Sequence, residues 1–210
     1  MIIQQIQQYF IEHGKDYVKI LGDHVALSGE ALMIALVIGF PLGYLSYSKP
    51  KLRQAASFFT QGLRVIPSLG LLFILIPFIG VGRLPAIIAL VFLAIPPILL
   101  NTIVGFNEVP QSLIETGLGM TKWQKLYKVS LPLASPHILN GIKLALIEVI
   151  ASATLATYIG AGGLGTIIFT GLGLYRYDLL IIGGGSVALL SFISMILFDL
   201  LISRLPIEKL

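Results

Sequence analysis

The 210-residue chain contains no cysteine, and few of its residues are charged. Without cysteine it can form neither a disulfide framework nor a thiolate-ligated metal site. Charged residues make up 11% of the chain, against about 25% in a typical soluble domain, while 56% are hydrophobic and the mean hydropathy is +0.94. The net charge of +4 is small and no basic face is clustered, which does not favour nucleic-acid binding. This composition is typical of an integral membrane protein.

Motifs for binding nucleotides and metals are also missing. The sequence has no G-x-x-x-x-G-K-[ST] loop, and the G-x-G-x-x-G pattern at residues 160–165 follows an apolar helix rather than the β-strand that a dinucleotide site requires. His13, His24 and His137 are too scattered for a metal site, so we expect each at an interface or a helix cap. The sequence therefore predicts no catalytic residue, no metal and no cofactor bound by this chain.

Residues 1–23 form an amphipathic N-terminal segment. Ile3, Ile6 and Phe10 recur at helical spacing between glutamines, and no Lys or Arg precedes Lys15, which argues against a signal peptide. We expect this segment to be retained and to lie along the membrane surface. Residues 24–205 are predicted to form the transmembrane domain.

Five stretches are apolar enough to cross a bilayer, which takes roughly 20 residues per helix. They cover residues 25–47, 55–79, 84–104, 136–159 and 179–201. The predicted fold is an all-α integral membrane protein with about five transmembrane helices, the N-terminal amphipathic helix and a polar helical segment at residues 107–135. Close helix contacts are expected at Gly39 and Gly43, because small residues let membrane helices approach each other.

Basic residues are distributed unequally between the two sides of these spans. Eight fall on one side, namely Lys49, Lys51, Arg53, Lys122, Lys125, Lys128, Arg204 and Lys209. Four fall on the other, namely Lys15, Lys19, Arg83 and Arg176. Because cytoplasmic loops carry an excess of Lys and Arg, the N-terminus is predicted outside and the C-terminus in the cytoplasm.

The polar segment at residues 107–135 is predicted to contain two short helices. Gly119 is expected to break the first, because glycine adopts positive φ readily. Thr121 and Gln124 fit a reciprocal capping box that begins the second helix. Leu131-Pro132 is expected to end it, because the residue before proline is disfavoured in α geometry.

Prolines occur inside three of the spans, at Pro41, Pro67, Pro77, Pro96 and Pro97. Such positions free backbone carbonyls, which neighbouring helices or a water-lined path can satisfy. Kinks that only improve packing are the equally favoured alternative.

Several of these motifs together resemble the inner-membrane permeases of ATP-binding-cassette importers. Gly119 followed after nine residues by Val129-x-Leu131-Pro132 resembles their cytoplasmic coupling motif. Further matches are Ile66-Pro67-Ser68-Leu69, Asn101-Thr102-Ile103-x-Gly105 and the run from Ala153 to Gly165. Over about residues 25–201 the chain is similar to the osmoprotectant branch, whose members carry glycine betaine, carnitine, choline or related quaternary amines. It departs from the family in that Glu115 precedes Gly119 by four residues instead of six.

The resemblance implies a permease subunit that hydrolyses no ATP itself. Two permease chains, the same or related, would form the path in the cytoplasmic membrane, with ATP and Mg bound by a partner ATPase and an extracytoplasmic substrate-binding protein docked outside. The ATPase contact is expected at Glu115, Gly119, Met120, Thr121, Lys122, Trp123, Leu131 and Pro132. The path is expected at Arg64, Pro67, Ser68, Asn101, Thr102, Glu148, Ser152, Thr154 and Tyr158, with an outer hinge or tight turn at Gly160, Gly162, Gly163 and Gly165.

Arg64 and Glu148 are charges inside the spans that the related permeases do not usually carry. Counted at 1.5 Å per residue, they lie roughly 14 Å and 18 Å from the cytoplasmic ends of their spans. Each needs a partner or water, because a charge at membrane depth is costly. We expect an ion pair that borders the translocation path, with separate snorkelling or packing roles as the alternative.

Three other functions remain open. The first is an importer permease for another small solute, such as an amino-acid derivative. The second is an ion-coupled secondary transporter, which would need inverted repeats and a membrane-depth carboxylate such as Glu148. The third is a membrane enzyme, which would need an acid or histidine pair in a polar cavity, and only Glu30, Glu148 and Asp199 are acids at membrane depth.

Overall fold

The computed structural model describes residues 2–110, 112 and 119–205, and all regular structure in these residues is helical. The helices are α1 (Ile2–Tyr47), α2 (Pro50–Val65), α3 (Ser68–Ile79), α4 (Arg83–Asn107), α5 (Lys122–Ala153), α6 (Gly165–Leu174) and α7 (Tyr177–Ser203). A 3₁₀ turn, Leu155–Ile159, follows α5. The prediction of an all-α membrane protein is confirmed.

Helix α1 is too long for one bilayer crossing, because 46 residues span about 69 Å at 1.5 Å per residue. The helix is unbroken between residues 23 and 24, where the sequence predicted a boundary. It departs from helical geometry earlier, at His13 (φ −121°, ψ 15°). Beyond that bend, the hydroxyl groups of Tyr17 and Ser186 lie 2.7 Å apart, and Leu21 packs on the cluster that α6 and α7 form. Ile6 and Tyr9, before the bend, pack on the same cluster. The N-terminal segment therefore contacts the helix bundle on both sides of His13, and its position along the membrane surface stays a prediction.

Helices α1 and α4 pack closely and run in the same direction. Arg83 Nη2 at the start of α4 donates to Glu30 Oε1 in the second half of α1 at 2.7 Å, and near the ends of both helices Gly43 lies against Thr102. A Cβ at Gly43 would come within 2.7 Å of the Thr102 Cβ, and one at Gly39 within 3.2 Å of Ile98. The predicted helix contacts at both glycines are confirmed. Because α1 and α4 are parallel, α2 and α3 must return the chain across the membrane between them.

Helices α2 and α3 form this return as a broken crossing. They meet at 93° across Ile66 and Pro67. Ile66 is extended (φ −74°, ψ 120°), as the proline ring requires of the preceding residue. The crossing predicted over residues 55–79 is therefore made of two helices, and the break falls at Pro67, one of the prolines noted inside the predicted spans. Pro96 and Pro97 are buried in α4 and do not break it, because α4 packs between α1 and α5.

Helices α5 and α7 complete the bundle. Gly105 of α4 lies against Ala134 and Asn101 lies against Gly141, so α5 runs antiparallel to α4. Lys143 Nζ donates to Asp199 Oδ1 at 2.6 Å, which joins α5 to α7. Counting the broken pair as one, the described residues make the five predicted crossings. The short apolar helix α6 was not predicted.

The main core lies where α1, α4 and α5 meet, and small side chains dominate it. Eight alanines of this core have no exposed surface: Ala31, Ala35, Ala86, Ala89, Ala94, Ala145, Ala153 and Ala156. Larger side chains such as Leu27, Leu90 and Val149 fill the spaces between them. This core holds the three helices at short separation, and α2 and α3 pack against its edge.

Candidate functional site

A polar cavity lies at the break between α2 and α3. Its volume is about 210 Å³, and it is lined by Leu63, Arg64, Ile66, Pro67, Ser68, Leu93, Pro96, Glu148 and Ser152. Helices α2 and α3 supply the wall around the break, α4 supplies Leu93 and Pro96, and α5 supplies Glu148 and Ser152. Five of the nine residues predicted along the path, Arg64, Pro67, Ser68, Glu148 and Ser152, therefore share one cavity.

Arg64 and Glu148 bring opposite charges to this cavity. Arg64 is exposed on α2, Glu148 is half-buried on α5, and the two are close enough for electrostatic attraction. Within the described part of the chain, no nitrogen of Arg64 lies within 4.0 Å of a Glu148 carboxylate oxygen. The expected direct ion pair is therefore not formed. The depth estimate assumed a straight span, whereas the bend at Pro67 moves α2 off that axis.

The N-terminus of α3 adds a positive partial charge to the same wall. The helix begins at Ser68, and no side chain caps it. Its first backbone hydrogen bond runs from the Leu71 N–H to the Pro67 oxygen at 3.0 Å, so the preceding N–H groups have no partner within the helix. One side of the cavity therefore favours an anionic group, and Glu148 on the other side favours a cationic one.

Asn101 and Thr102 lie in helix contacts instead of at the cavity. The Asn101 amide donates to the Pro97 oxygen at 2.8 Å, and its Cβ faces Gly141. The Thr102 hydroxyl is fully buried and donates to the Ile98 oxygen at 2.7 Å. Both side chains satisfy their polar groups on α4 itself, which leaves them suited to packing between helices.

Thr154 and Tyr158 lie at the end of α5, outside the residues that line the cavity. The Thr154 hydroxyl donates to the Ala151 oxygen at 2.7 Å. Tyr158 is 54% exposed, and its ring packs against Phe169 and Phe73 with centroid distances of 4.2 and 6.4 Å. The aromatic contact links α3 to α6 at this end of the bundle.

The glycine cluster forms a tight turn that a buried histidine holds. Gly160, Gly162 and Gly163 have φ of 78°, 79° and 81°. His24 Nδ1 accepts the Leu164 N–H at 3.3 Å, so its Nε2 carries the proton and donates to the Ile150 oxygen at 3.1 Å. A Cβ at Gly163 would approach Nδ1 of His24 to 2.9 Å, and one at Gly165 would collide with the Thr154 carbonyl. Of the two predicted alternatives, the structure shows a tight turn.

The start of α5 matches the predicted capping chemistry. Gly119 has a φ of 96°. The Thr121 N–H donates to Gln124 Oε1 at 2.9 Å, and the Gln124 N–H donates to Thr121 Oγ1 at 3.3 Å. The capping box and the positive φ are confirmed, whereas Glu115 lies outside the described residues.

The helix does not end at Leu131-Pro132, as the sequence suggested. It widens into a π segment at Leu126–Ser130, where the Leu131 N–H bonds the Leu126 oxygen five residues earlier, and it continues to Ala153. A single π turn of this kind absorbs the missing proline N–H without breaking the helix. From Lys122 onward, the polar segment and the fourth span are therefore one continuous helix.

This helix start presents an exposed aromatic surface, which we call the knob (residues 119–130). Trp123 and Tyr127 are 68% and 62% exposed, and their rings stack with centroids 6.1 Å apart. Leu126, next to Tyr127 in the chain, instead packs with Phe106 and Val109 at the end of α4. The knob is thus fixed to the bundle on one side and free to contact a partner on the other.

Besides the Arg83–Glu30 and Tyr17–Ser186 contacts given above, the sequence analysis missed three further polar contacts. They are the His24 hydrogen bonds, the Lys143–Asp199 pair and the Glu108–His137 pair, whose N–O distance is 2.7 Å. Of the residues in these contacts, Asp199 could have been recognised from the sequence as needing a partner, because an acid at membrane depth is costly without one. The described residues contain no group of three metal-binding side chains, so none of these histidines belongs to a metal cluster there.

Comparison with known proteins places this arrangement in a family. Residues 35–206 match the model of the binding-protein-dependent transport system inner membrane component. The carnitine transport permease protein OpuCB of Listeria monocytogenes is 42% identical over 190 residues, 90% of this chain and 87% of that protein. The glycine betaine/carnitine/choline transport system permease protein OpuCB of Bacillus subtilis is 37% identical over 91% of this chain and 89% of its own length.

A solved structure shares the fold as well. In the inward-facing MetNI methionine ABC transporter, one chain superposes with a TM-score of 0.81 at 26% identity, covering 90% of this chain and 95% of that one. The superposition covers nine-tenths of this chain, so the likeness includes most of the fold described above. The chain therefore belongs to the family of binding-protein-dependent transport system inner membrane components and is a permease.

Proposed function

We propose that this permease forms half of the translocation path of an ATP-driven importer for small quaternary-amine osmoprotectants such as glycine betaine, carnitine or choline. The observation that carries the proposal is the likeness to permeases named for these solutes over about nine-tenths of the chain. The cavity between Arg64 and Glu148 supports it, because a polar site at a broken helix is the form that membrane transport sites commonly take.

The knob is the contact for a separate ATPase subunit, which binds and hydrolyses ATP with Mg. Trp123 and Tyr127 offer an exposed aromatic surface beside Met120 and Lys122. Because the knob and the α5 span are one helix, a movement imposed on the knob displaces Glu148 and Ser152 at the cavity as a rigid body. This transmits the nucleotide-driven closure of the ATPase to the path.

A second permease chain covers the exposed face of α2 and α3, and a substrate-binding protein docks at the opposite end of the bundle from the knob. The charge distribution orients the knob and the C-terminus toward the cytoplasm and the N-terminus outward. The path then opens toward the cytoplasm at the knob end and toward the glycine turn outside.

Reconstitution of the complete importer in liposomes tests this function. We expect uptake of a quaternary amine only with ATP inside and loaded binding protein outside, and no change when ionophores remove the ion gradients. Uptake that continues without ATP and stops with an ionophore would instead identify an ion-coupled transporter.

A variant of the knob tests the coupling contact. Trp123→Ala removes an exposed side chain, so we expect normal membrane insertion of the permease but weaker co-purification of the ATPase. Tyr177→Ala is the matched control, because Tyr177 is equally exposed (66%) at the other end of the bundle. Equal ATPase recovery with both variants would contradict the assignment of the knob.

A further inference from the structure

We propose that the cavity at the α2–α3 break is a binding site for a zwitterion, with the cationic group of the solute at Glu148 and its carboxylate at Arg64 and the N-terminus of α3. This inference rests on the proposed function and deepens it in one respect. It makes the permease itself, and not only a binding protein, selective for solutes that carry both charges.

The two charges are arranged to receive a ligand between them. Arg64 and Glu148 line the same cavity from α2 and α5, and the structure shows no contact of 4.0 Å or less between their charged atoms. A charge in a membrane span is costly unless a group of opposite charge compensates it. Arg64 and Glu148 attract each other only across the cavity. A zwitterion compensates both at once, whereas a simple cation satisfies Glu148 and leaves Arg64 without an anion.

The anionic end of the site has two independent features. Arg64 is the last-turn cation of α2, and the uncapped N-terminus of α3 begins two residues beyond Ile66 at Ser68. A guanidinium binds a carboxylate through two parallel hydrogen bonds, and a helix N-terminus adds backbone N–H donors. The 93° bend places both on one cavity wall.

The cationic end fits a methylated ammonium better than a primary amine. Leu63, Leu93 and Pro96 line the same cavity as Glu148. Their side chains present hydrocarbon surface, which suits N-methyl groups and offers no hydrogen-bond acceptor to a primary ammonium. The volume of about 210 Å³ is below the roughly 300–1,000 Å³ of pockets for drug-sized ligands, so it admits only a small solute.

Protection of a single cysteine measures binding at this site directly. Ser152→Cys places the only cysteine of the chain on the cavity wall. The permease is assembled with its ATPase and without the binding protein. This complex is treated with a water-soluble thiol reagent in the presence of glycine betaine or choline. These two share a trimethylammonium group, and only glycine betaine carries a carboxylate. We expect glycine betaine to slow the labelling at a lower concentration than choline.

Charge variants then assign the two ends. In the Ser152→Cys background, Arg64→Gln should raise the half-protecting concentration of glycine betaine about tenfold or more, since a hydrogen bond to a charged group contributes about 1.5–3 kcal/mol. It should leave that of choline nearly unchanged. Glu148→Gln should raise both values, and Arg64→Lys should keep part of the protection, because it retains the charge but not the two parallel hydrogen bonds. Lys51→Gln, an exposed position on the same helix, is the control.

Three results would overturn the site. They are equal protection by the two solutes, protection by neither, and an Arg64→Gln effect of the same size on both. Uptake by the same importer, measured after the binding protein has been added, separates this inference from the proposed function. If ATP-driven uptake of a quaternary amine occurs and one of the three results is found, the zwitterion site is wrong and the permease function stands. If no such uptake occurs, the proposed function itself is wrong.

Discussion

The contact of α1, α4 and α5 and the broken crossing of α2 and α3 are built in opposite ways. Where α1, α4 and α5 meet, glycines and alanines are buried without remaining surface. In α2 and α3 only Thr60 and Leu72 are buried, whereas Phe58, Val65 and Phe78 are each more than 80% exposed. The first region buries its surface within one chain. The second leaves apolar surface exposed, which lipid or a second subunit can cover. We therefore expect stability to depend mainly on the first region, and we propose that transport depends on the second.

The largest effect is expected from filling the closest contact of the packed region. In Gly141→Leu a Cβ would come within 2.6 Å of the Asn101 Cβ and 2.8 Å of the Pro97 oxygen, so α4 and α5 must separate. We expect a loss of at least about 1–3 kcal/mol of stability, the usual cost of overpacking, seen as a lower melting temperature in detergent. Gly62→Leu in α2 has nothing within 4 Å of the new Cβ and should melt like the wild type. Equal melting of the two variants would remove the distinction between the regions.

The next effect concerns the histidine that joins α1 to the outer turn. His24→Ala removes hydrogen bonds to the Leu164 N–H and the Ile150 oxygen in a fully buried place. Leaving such groups without partners costs about 1–3 kcal/mol each, so thermal melting should show a loss comparable to that of Gly141→Leu. His13→Ala, on the exposed part of α1, is the control and should have little effect. A variant of His24 that melts like the control would show that the turn does not depend on it.

A third prediction separates coupling from folding at the knob. Gly119→Leu has free space around the new Cβ but must hold a φ of 96°, which is strained for leucine. This backbone strain of about 1–3 kcal/mol would distort the knob and not the helix bundle. We therefore expect normal assembly of the importer but less solute transported for each ATP hydrolysed. Gly184→Leu, a helical position with equal space, is the control. Ligand-stimulated ATPase activity and uptake at wild-type levels in Gly119→Leu would contradict the coupling role.

The smallest effect on stability is expected from the variants that test orientation. Lys128→Cys in the knob and Tyr175→Cys beyond α6 both change exposed side chains, and the chain has no other cysteine. A membrane-impermeant thiol reagent should label position 128 only from the cytoplasmic side and position 175 only from outside. Gly163 is unsuitable for this purpose, because a Cβ there would crowd His24. The reverse labelling pattern would invert the proposed orientation.

Local chemistry predicted part of this structure well. Runs of apolar residues gave the crossings, and the Thr121–Gln124 spacing gave the capping box, because both depend on residues close in the chain. The sequence could not show that Pro67 breaks its span while Pro96 and Pro97 do not. That outcome depends on the packing of α4 on both faces, which is a tertiary property.

The candidate site was predictable as a set of residues but not as a geometry. Arg64 and Glu148 stood out because charges are rare at membrane depth, and they do share one cavity. Asn101 and Thr102 belong to a motif of the resemblance, yet their side chains bond within α4. His24 carried no signal of its own, because its partners Ile150 and Leu164 are more than 120 residues away in the chain.

The most direct test compares two positions one turn apart on α3. Ser68 lines the cavity, whereas Leu72 is buried against the packed core. In the assembled importer, a small water-soluble thiol reagent should modify Ser68→Cys at a rate that changes when ATP is added, and it should not modify Leu72→Cys. If Ser68→Cys is as unreactive as Leu72→Cys with and without ATP, the break between α2 and α3 is not part of the translocation path.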